Sequence, residues 1–460
     1  MSFAWGFLSA AFWGIVTLSA LVIIHEGGHF IVAHLQGVRI TEFFIGLPCR
    51  LHWSRKSRSF GTEFGVTPIF LGGYNRICGM EGTPDELLAP CLAIVQREGR
   101  VSAAAVAEEL GCDVDRAYAL LITLADWASV RPFYDPEKGE REGQREYPEC
   151  FETVARDAAL LTEFDSRNAV GDEGTAEPGA PCPIDGDPED FLAHERSRVY
   201  AGRGFLGKVA ILLAGPFVNI ACAFLILVTS FSLVGARVVL DAPVLGNVEE
   251  GSYAQAAGLL PGDRVTKVGG CSVATWGELC SALDQAGAHG GDFDVCYVRD
   301  GSESTCTVEV PEGQGMGHFG IDATIVTRRL SLDESLRASW TYCKTTVSFA
   351  FRLMMPQHTI ETVNSASSVV GISAAAGQAA ASGPNALLLF MALVSMSLGV
   401  MNLLPVPPLD GGKILIEVVQ LIVGRPISTR AQNAVSYVGL AFFLFIFVLA
   451  VRNDVLRLLP

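Results

Sequence analysis

Four stretches of this chain run for about twenty residues or more without a charged side chain, and they restrict its fold more than any other feature. A bilayer's hydrocarbon core is about 30 Å thick and a helix rises 1.5 Å per residue, so roughly 20 apolar residues span it. Residues 1–24 are uncharged up to His25 and Glu26. The second run lies between Lys208 and Arg237, the third reaches from residue 386 to Asp410, and the fourth lies between Arg430 and Arg452. No basic segment precedes the first run and no small-residue cleavage site follows it, so it reads as a retained span rather than a removable signal peptide. With 50% hydrophobic and only 18% charged residues, the composition excludes a disordered chain, a coiled coil and a collagen-like fibre. The expected architecture is a polytopic α-helical membrane protein with four transmembrane helices, at 1–36, 205–236, 386–412 and 431–452.

Lys and Arg in the flanks of the spans set their orientation. The flanks of the 1–2 and 3–4 connections hold twelve, from Arg39 to Arg430; the opposite flanks hold Arg237, Arg452 and Arg457. Both termini and the long connection between spans two and three are therefore expected outside the cytoplasm.

Residues 37–80 follow the first span, and residues 81–204 form an insert with 27 acidic and 12 basic side chains. Within it LLAPCLAIVQREG, SAAAVAEELG and DVDRAYALLITLADWASV are three helical patterns with Gly stops, and VRPFYD could make a β wing. This core, about 86–135, resembles a winged helix-turn-helix. Its third helix offers only Arg116 among Asp113, Asp115 and Asp126, and the whole chain carries a net charge of −16. That is wrong for phosphate contact, so nucleic acid is not the expected partner and a cytoplasmic protein contact is. Residues 135–190, rich in Glu, Asp, Gly and Pro, read as a solvated flexible linker.

Residues 241–325 hold short β-like runs, a helical WGELCSALDQAG and a strand pair turned at Asp300-Gly301. Ala254 to Gly270 resembles the core of a bacterial PDZ domain, which binds an extended peptide by adding it to a sheet edge. The candidate edge is Val244–Val248; the competing reading is a folded spacer without a ligand. Cys271, Cys280, Cys296 and Cys306 leave three disulfide pairings open beside a reading as buried small hydrophobes. In the 328–385 connection, Leu332, Leu336, Trp340, Cys343, Val347 and Phe351 recur at helical spacing with Arg337, Lys344 and Arg352 among them. This suits a helix lying on a membrane surface.

His25-Glu26-Gly27-Gly28-His29 carries the chemistry. On a helix, histidines at i and i+4 share a face, so both imidazoles can reach one metal, and the glutamate between them can take a proton from water beside it. Such residues are expensive near lipid, which argues for function over a mere interfacial helix end. A tetrahedral catalytic zinc needs a third protein ligand. His34 is about 140° around the helix from His29 and cannot easily close the site. The better candidate is Asp410, a lone carboxylate after Pro405, Pro407 and Pro408, where the helix must break.

Together, H-E-x-G-H in span one and N-x-x-P-x-P-x-L-D-G in span three resemble the site-2 protease family of intramembrane zinc metalloproteases. The order of spans and PDZ-like segment resembles the bacterial branch that cleaves membrane-anchored anti-sigma factors. Further matches are Phe64–Tyr74, Ala214-Gly215-Pro216 with Asn219, and residues 424–428 with Gln432. The resemblance implies Zn2+ held by His25, His29 and Asp410, Glu26 as general base, and Asn402 holding or polarising the substrate carbonyl. It also implies a bacterial cytoplasmic membrane location and a membrane-dipping β-hairpin at 60–76 that offers a strand edge to substrate. Substrates would be single-span regulators of the anti-sigma type or remnant signal peptides. Three features depart from the family pattern: Gly27, a single PDZ-like segment, and the acidic insert. The alternative function is a non-catalytic PDZ-containing membrane scaffold, which has no need of Glu26 or a complete ligand set.

Overall fold

The computed structural model describes residues 2–70, 72–80, 84–141, 147–166, 170, 174–287, 291–310, 319–355, 368–425, 427 and 429–458. Leu71, Pro426 and Ser428 of the sequence motifs lie outside the described residues. So do parts of the expected linker (142–146, 167–169, 171–173), of the PDZ-like segment (288–290, 311–318) and of the following connection (356–367).

The charge-free N-terminal run forms α1 (Ser2–Leu35), and among the described residues four helices are long and apolar enough to cross a membrane: Gly6–Leu35, Phe205–Leu233, Pro384–Asn402 and Ala431–Asp454. They coincide with the four uncharged runs.

After α1 come β1 (Ile40–Ile45), β2 (Trp53–Lys56), β3 (Glu63–Val66) and β4 (Gly73–Ile77), in one sheet of order β2-β3-β1-β4. This corrects the expected hairpin at 60–76: β3 and β4 do not pair with each other but flank β1, parallel and antiparallel to it respectively. The connection between them wraps the end of β1. Thr67 N donates to Ile45 O (2.9 Å), Leu47 N to Ile69 O (2.9 Å) and Gly46 N to Gly72 O (2.8 Å). The true hairpin is β2–β3, and β4 is left as an edge beside α1. Phe30, Phe43, Phe60 and Phe64 pack edge-on or tilted around this sheet, and His34 joins them at 4.9 Å from the Phe60 ring. His34 is thus an aromatic packing residue.

The insert starts with α2 (Leu88–Glu98), β5 (Arg100–Ser102), α3 (Ala103–Leu110), α4 (Val114–Asp126) and β6 (Val130–Phe133). Ser102 and Asp113 cap α3 and α4 by accepting from Ala105 N (3.2 Å) and Arg116 N (2.9 Å), as their hydroxyl and carboxylate suit them to do. β7 (Cys150–Thr153) then pairs between β5 and β6 in a three-stranded antiparallel sheet. Phe151 on β7 is fully buried with Leu92, Val95, Val106, Leu121 and Leu124. Residues 150–166 therefore do not behave as the solvated linker read from composition; their few apolar and charged residues are core parts of the insert.

The short α5 (Glu163–Ser166) and α6 (Pro188–Ser197) tie the insert to the sheet. Arg39, just before β1, donates to Asp165 (2.5 Å) and Glu195 (2.7 and 3.1 Å). Arg156 adds two bonds to Glu195 (3.2 and 3.3 Å), and the Ser129 hydroxyl a third group. These four charged side chains are at most 2% exposed. The two guanidinium groups hold the Glu195 carboxyl well below the usual carboxylate range against a burial cost that would raise it.

Beyond α7 (Phe205–Leu233), residues 227–338 form a separate unit. It contains β8 (Ala236–Val239), β9 (Leu245–Val248), α8 (Tyr253–Ala256), β10 (Arg264–Val268), β11 (Cys271–Ser272), α9 (Trp276–Gly287), β12 (Gly291–Arg299), β13 (Ser302–Val310), β14 (Ile321–Ala323) and β15 (Ile325–Arg328). The main sheet runs β11-β10-β12-β13, while β9 pairs β14 and β8 pairs β15. The core includes Leu245, Leu259, Val265, Leu279, Val295 and Val308. Arg299 grips Asp263 through two bonds (2.7 and 2.6 Å), lowering the pKa of that carboxyl against its desolvation. The expected open edge at Val244–Val248 is already used: β14 pairs Asn247 and Val248, and Leu245 exchanges backbone bonds with Gly262 and Asp263. All twelve cysteines are free thiols. Val295 pairs with Cys306 and Cys296 with Thr305, so Cys296 and Cys306 point to opposite faces and cannot be bridged.

The chain continues through α10 (Leu332–Met354), the amphipathic helix read at 332–353, with Leu332, Trp340 and Phe351 exposed. It is followed by α11 (Val369–Ala381), α12 (Pro384–Asn402), α13 (Asp410–Val423) and α14 (Thr429–Leu458). Two expectations change here. Helix α11, read as part of an external connection, lies against α1 within the span, with Gly377 on Ala10 and Ser373 on Gly14. Its small side chains permit that approach. Asp454 Oδ2 caps it, accepting from Ser368 N (2.6 Å) and Gly371 N (3.1 Å). The third span, expected to run 386–412, ends at Asn402; three prolines in 403–409 break the backbone and Asp410 opens a new helix.

Candidate metal centre

Helical spacing puts His25 and His29 on one face of α1, with Nε2 atoms 3.3 Å apart. The break before α13 brings Asp410 Oδ2 to 3.2 Å from His25 Nε2 and 3.4 Å from His29 Nε2. Both histidine residues are over 90% buried. Three donors at the corners of a triangle with edges of 3.2–3.4 Å match a tetrahedral zinc. Bonds of about 2.0–2.1 Å at the tetrahedral angle separate donors by about 3.3 Å.

The next layer agrees with the donor chemistry. His29 Nδ1 lies 2.7 Å from Ile211 O, which can only accept, so Nδ1 carries the proton and Nε2 keeps its lone pair. His25 Nδ1 lies 3.3 Å from the Asn219 amide, whose Oδ1 is buried without a partner. Exchanging the amide N and O satisfies that orphan: Oδ1 accepts from His25 Nδ1–H, and His25 Nε2 is freed for a metal. The residues present therefore fit Zn2+.

Two glycines let α1 and α7 approach at this point. A Cβ on Gly28 would stand 2.6 Å from Ala214 O, and one on Gly215 would stand 2.8 Å from His29 Cδ2 and Cε1 and closer still to Nε2. Gly27, by contrast, faces open space.

Glu26 is half-buried next to the triad, and Asn75 Nδ2 on β4 donates to its backbone carbonyl (3.3 Å). Asn402 ends α12, half-buried, on the other side of the proline break from Asp410. His25, His29 and Asp410 are thus brought together, with Glu26 adjacent. The roles of Gly215, Asn219 and the Ile211 carbonyl were not legible as such, although an asparagine within an apolar span was a signal. Asp165, His194 and Glu195 also cluster, but both carboxylates are neutralised by arginine.

Comparison with known proteins agrees with this chemistry. Residues 13–446 match the description Peptidase family M50. The regulator of sigma-E protease RseP of Escherichia coli is 28% identical, with all of both chains covered. The zinc metalloprotease RasP of Geobacillus kaustophilus is 25% identical over 96% of each chain.

Proposed function

The chain belongs to peptidase family M50 and is a membrane zinc endopeptidase; we propose that His25, His29 and Asp410 hold its zinc and that Glu26 is its general base. The observation that carries this assignment is the 3.2–3.4 Å triangle of donor atoms. Its substrates are regulatory membrane proteins, single-span regulators cut within the membrane segment, with remnant signal peptides as a second class. When bound, zinc supplies Lewis-acid polarisation of the scissile carbonyl and lowers the pKa of water to about 7.

This chain's own groups do the rest. Glu26 takes the proton of the attacking water and returns it to the leaving amine. Asn402, at the end of α12, donates to the carbonyl oxygen as charge develops there. Ile211 O and Asn219 fix the imidazole tautomers. A helical peptide bond is shielded from attack, so the substrate must be extended; the β4 edge beside Glu26 supports strand addition as the way to hold it. The residue 227–338 unit is read as a PDZ domain outside the cytoplasm that restricts substrate access. The acidic insert is read as a winged-helix-like cytoplasmic module for a protein partner. The location is the bacterial cytoplasmic membrane with both termini external, as the Lys and Arg asymmetry supports.

The test is cleavage of a membrane-embedded substrate by the purified full chain, with bound zinc quantified. Glu26→Gln is expected to lose at least about 100-fold in rate while keeping zinc, and Asp410→Ala to lose zinc. Wild-type protein without zinc, or all three cleaving alike, would refute the assignment.

A further inference from the structure

A cavity of about 470 Å³ opens where the start of α7, the end of α13 and the start of α14 meet. Such a volume suits a small ligand or a lipid headgroup. Arg196, Arg203, Lys208 and Arg425 line it, against the single carboxylate of Glu417. That carboxylate is already spent: both its oxygens accept from Lys208 Nζ (3.2 and 3.1 Å), and Oε1 also accepts from Tyr200 (3.2 Å). Among the described residues no carboxylate pairs with Arg196, Arg203 or Arg425. Arg203 spends one nitrogen on Gln36 O (2.9 Å), while its Nε is buried without a partner. Three uncompensated guanidinium groups around one concavity match the fork geometry of a phosphate.

We propose that this cavity is a phosphate site occupied by the headgroup of an anionic phospholipid. Two observations favour a lipid over a soluble phosphate. Lys208 and Arg430 close the uncharged runs of α7 and α14, so the cavity lies at headgroup depth. Leu206, Leu421 and Ile422 beside it are 79%, 60% and 79% exposed, an apolar outer face on which acyl chains can lie. The site has a mechanical link to the metal centre. Glu417, which anchors Lys208, is on the helix that Asp410 opens, two turns along the same face. A bound headgroup therefore steadies α13 against α7 and holds Asp410 near the two histidines.

The experiment uses the delipidated full chain in mild detergent, with native mass spectrometry of added phosphatidylglycerol and, separately, zinc content. Wild type is expected to retain one phosphatidylglycerol at least about tenfold more tightly than phosphatidylcholine, and the lipid should slow zinc loss to a chelator. The double variant Arg196→Glu, Arg425→Glu, at two exposed positions outside the catalytic machinery, should lose that preference and that protection. Arg196→Lys with Arg425→Lys keeps the charge and should retain most of it. Equal binding of both lipids, or undiminished phosphatidylglycerol binding by the Glu variant, overturns the proposal. Displacement of the lipid by millimolar inorganic phosphate overturns the lipid assignment in favour of a soluble phosphate. Loss of lipid binding with cleavage intact, or cleavage lost with binding intact, separates this site from the proteolytic one.

Discussion

Replacing Gly215 by Ala should empty the metal centre, although residue 215 is no ligand. The added Cβ would stand 2.8 Å from His29 Cδ2 and Cε1, whereas carbon atoms settle about 3.5–4.0 Å apart. The ring must then retreat by about 1 Å. It cannot swing freely, because Nδ1 is tied to Ile211 O at 2.7 Å. Zinc sites tolerate about ±0.2 Å in ligand position, so the displacement is about five times what the centre accepts. The expected outcome is loss of zinc by at least about 100-fold in affinity, and of cleavage with it. The control is Gly27→Ala, on α1 beside the metal ligands, where nothing lies within 4 Å. It should keep zinc and stabilise the helix by about 1 kcal/mol. Zinc is measured by elemental analysis of purified protein and by competition with a chromophoric chelator. Stoichiometric zinc and unimpaired cleavage in Gly215→Ala would refute the placement of His29 against α7.

Asn219→Ala should weaken zinc about 10–100-fold, read by the same competition, because His25 loses the acceptor that orients it. Glu195→Ala leaves the buried Arg156 without a carboxylate and Arg39 with Asp165 alone, and should destabilise the insert by about 3–5 kcal/mol. Arg97→Ala breaks an exposed, solvent-screened pair with Glu109 and should leave the melting temperature nearly unchanged; both are read from thermal unfolding followed by Trp127 fluorescence. Because Glu195 titrates below the ordinary carboxylate range in the folded insert, its contribution is present above that range and is lost as pH falls through the depressed value. The melting temperature should thus stay level from pH 8 to 5 and drop only on further acidification, a drop that Glu195→Gln should blunt. Asp454→Ala removes the acceptor for two N-terminal amides of α11 and should raise hydrogen exchange in residues 368–381 while leaving the insert unchanged.

What could be read from the sequence was what neighbouring residues decide among themselves. Uncharged runs specify spans without any tertiary information, and the i, i+4 histidines share a face whatever surrounds them. Asp410 stood out because three prolines and a lone carboxylate at membrane depth leave few alternatives. Pairing between distant segments was less accessible. Nothing local to residues 60–76 says that Ile40–Ile45 will insert between its two strands. Arg156 and Asp165 meet partners at Glu195 and Arg39 that lie outside the 135–190 stretch, so part of a buried ion cluster looked like hydrophilic linker composition. Helix α11 is too short for a span and rich in alanine, and only its fit against Ala10 and Gly14 explains where it lies. The purpose of Gly28 and Gly215 shows only once the neighbouring helix is in place.

The cap that Asp454 places on α11 bears on when this protein becomes dangerous during its own synthesis. A ribosome delivers His25 and Glu26 early, while Asp410 and the residue that secures the helix packed on α1 come from the far end of the chain. A nascent chain therefore carries two of the three proposed metal ligands long before the third exists. Because the three donors are divided between distant parts of the sequence, their triangle can close only once Asp410 has been made.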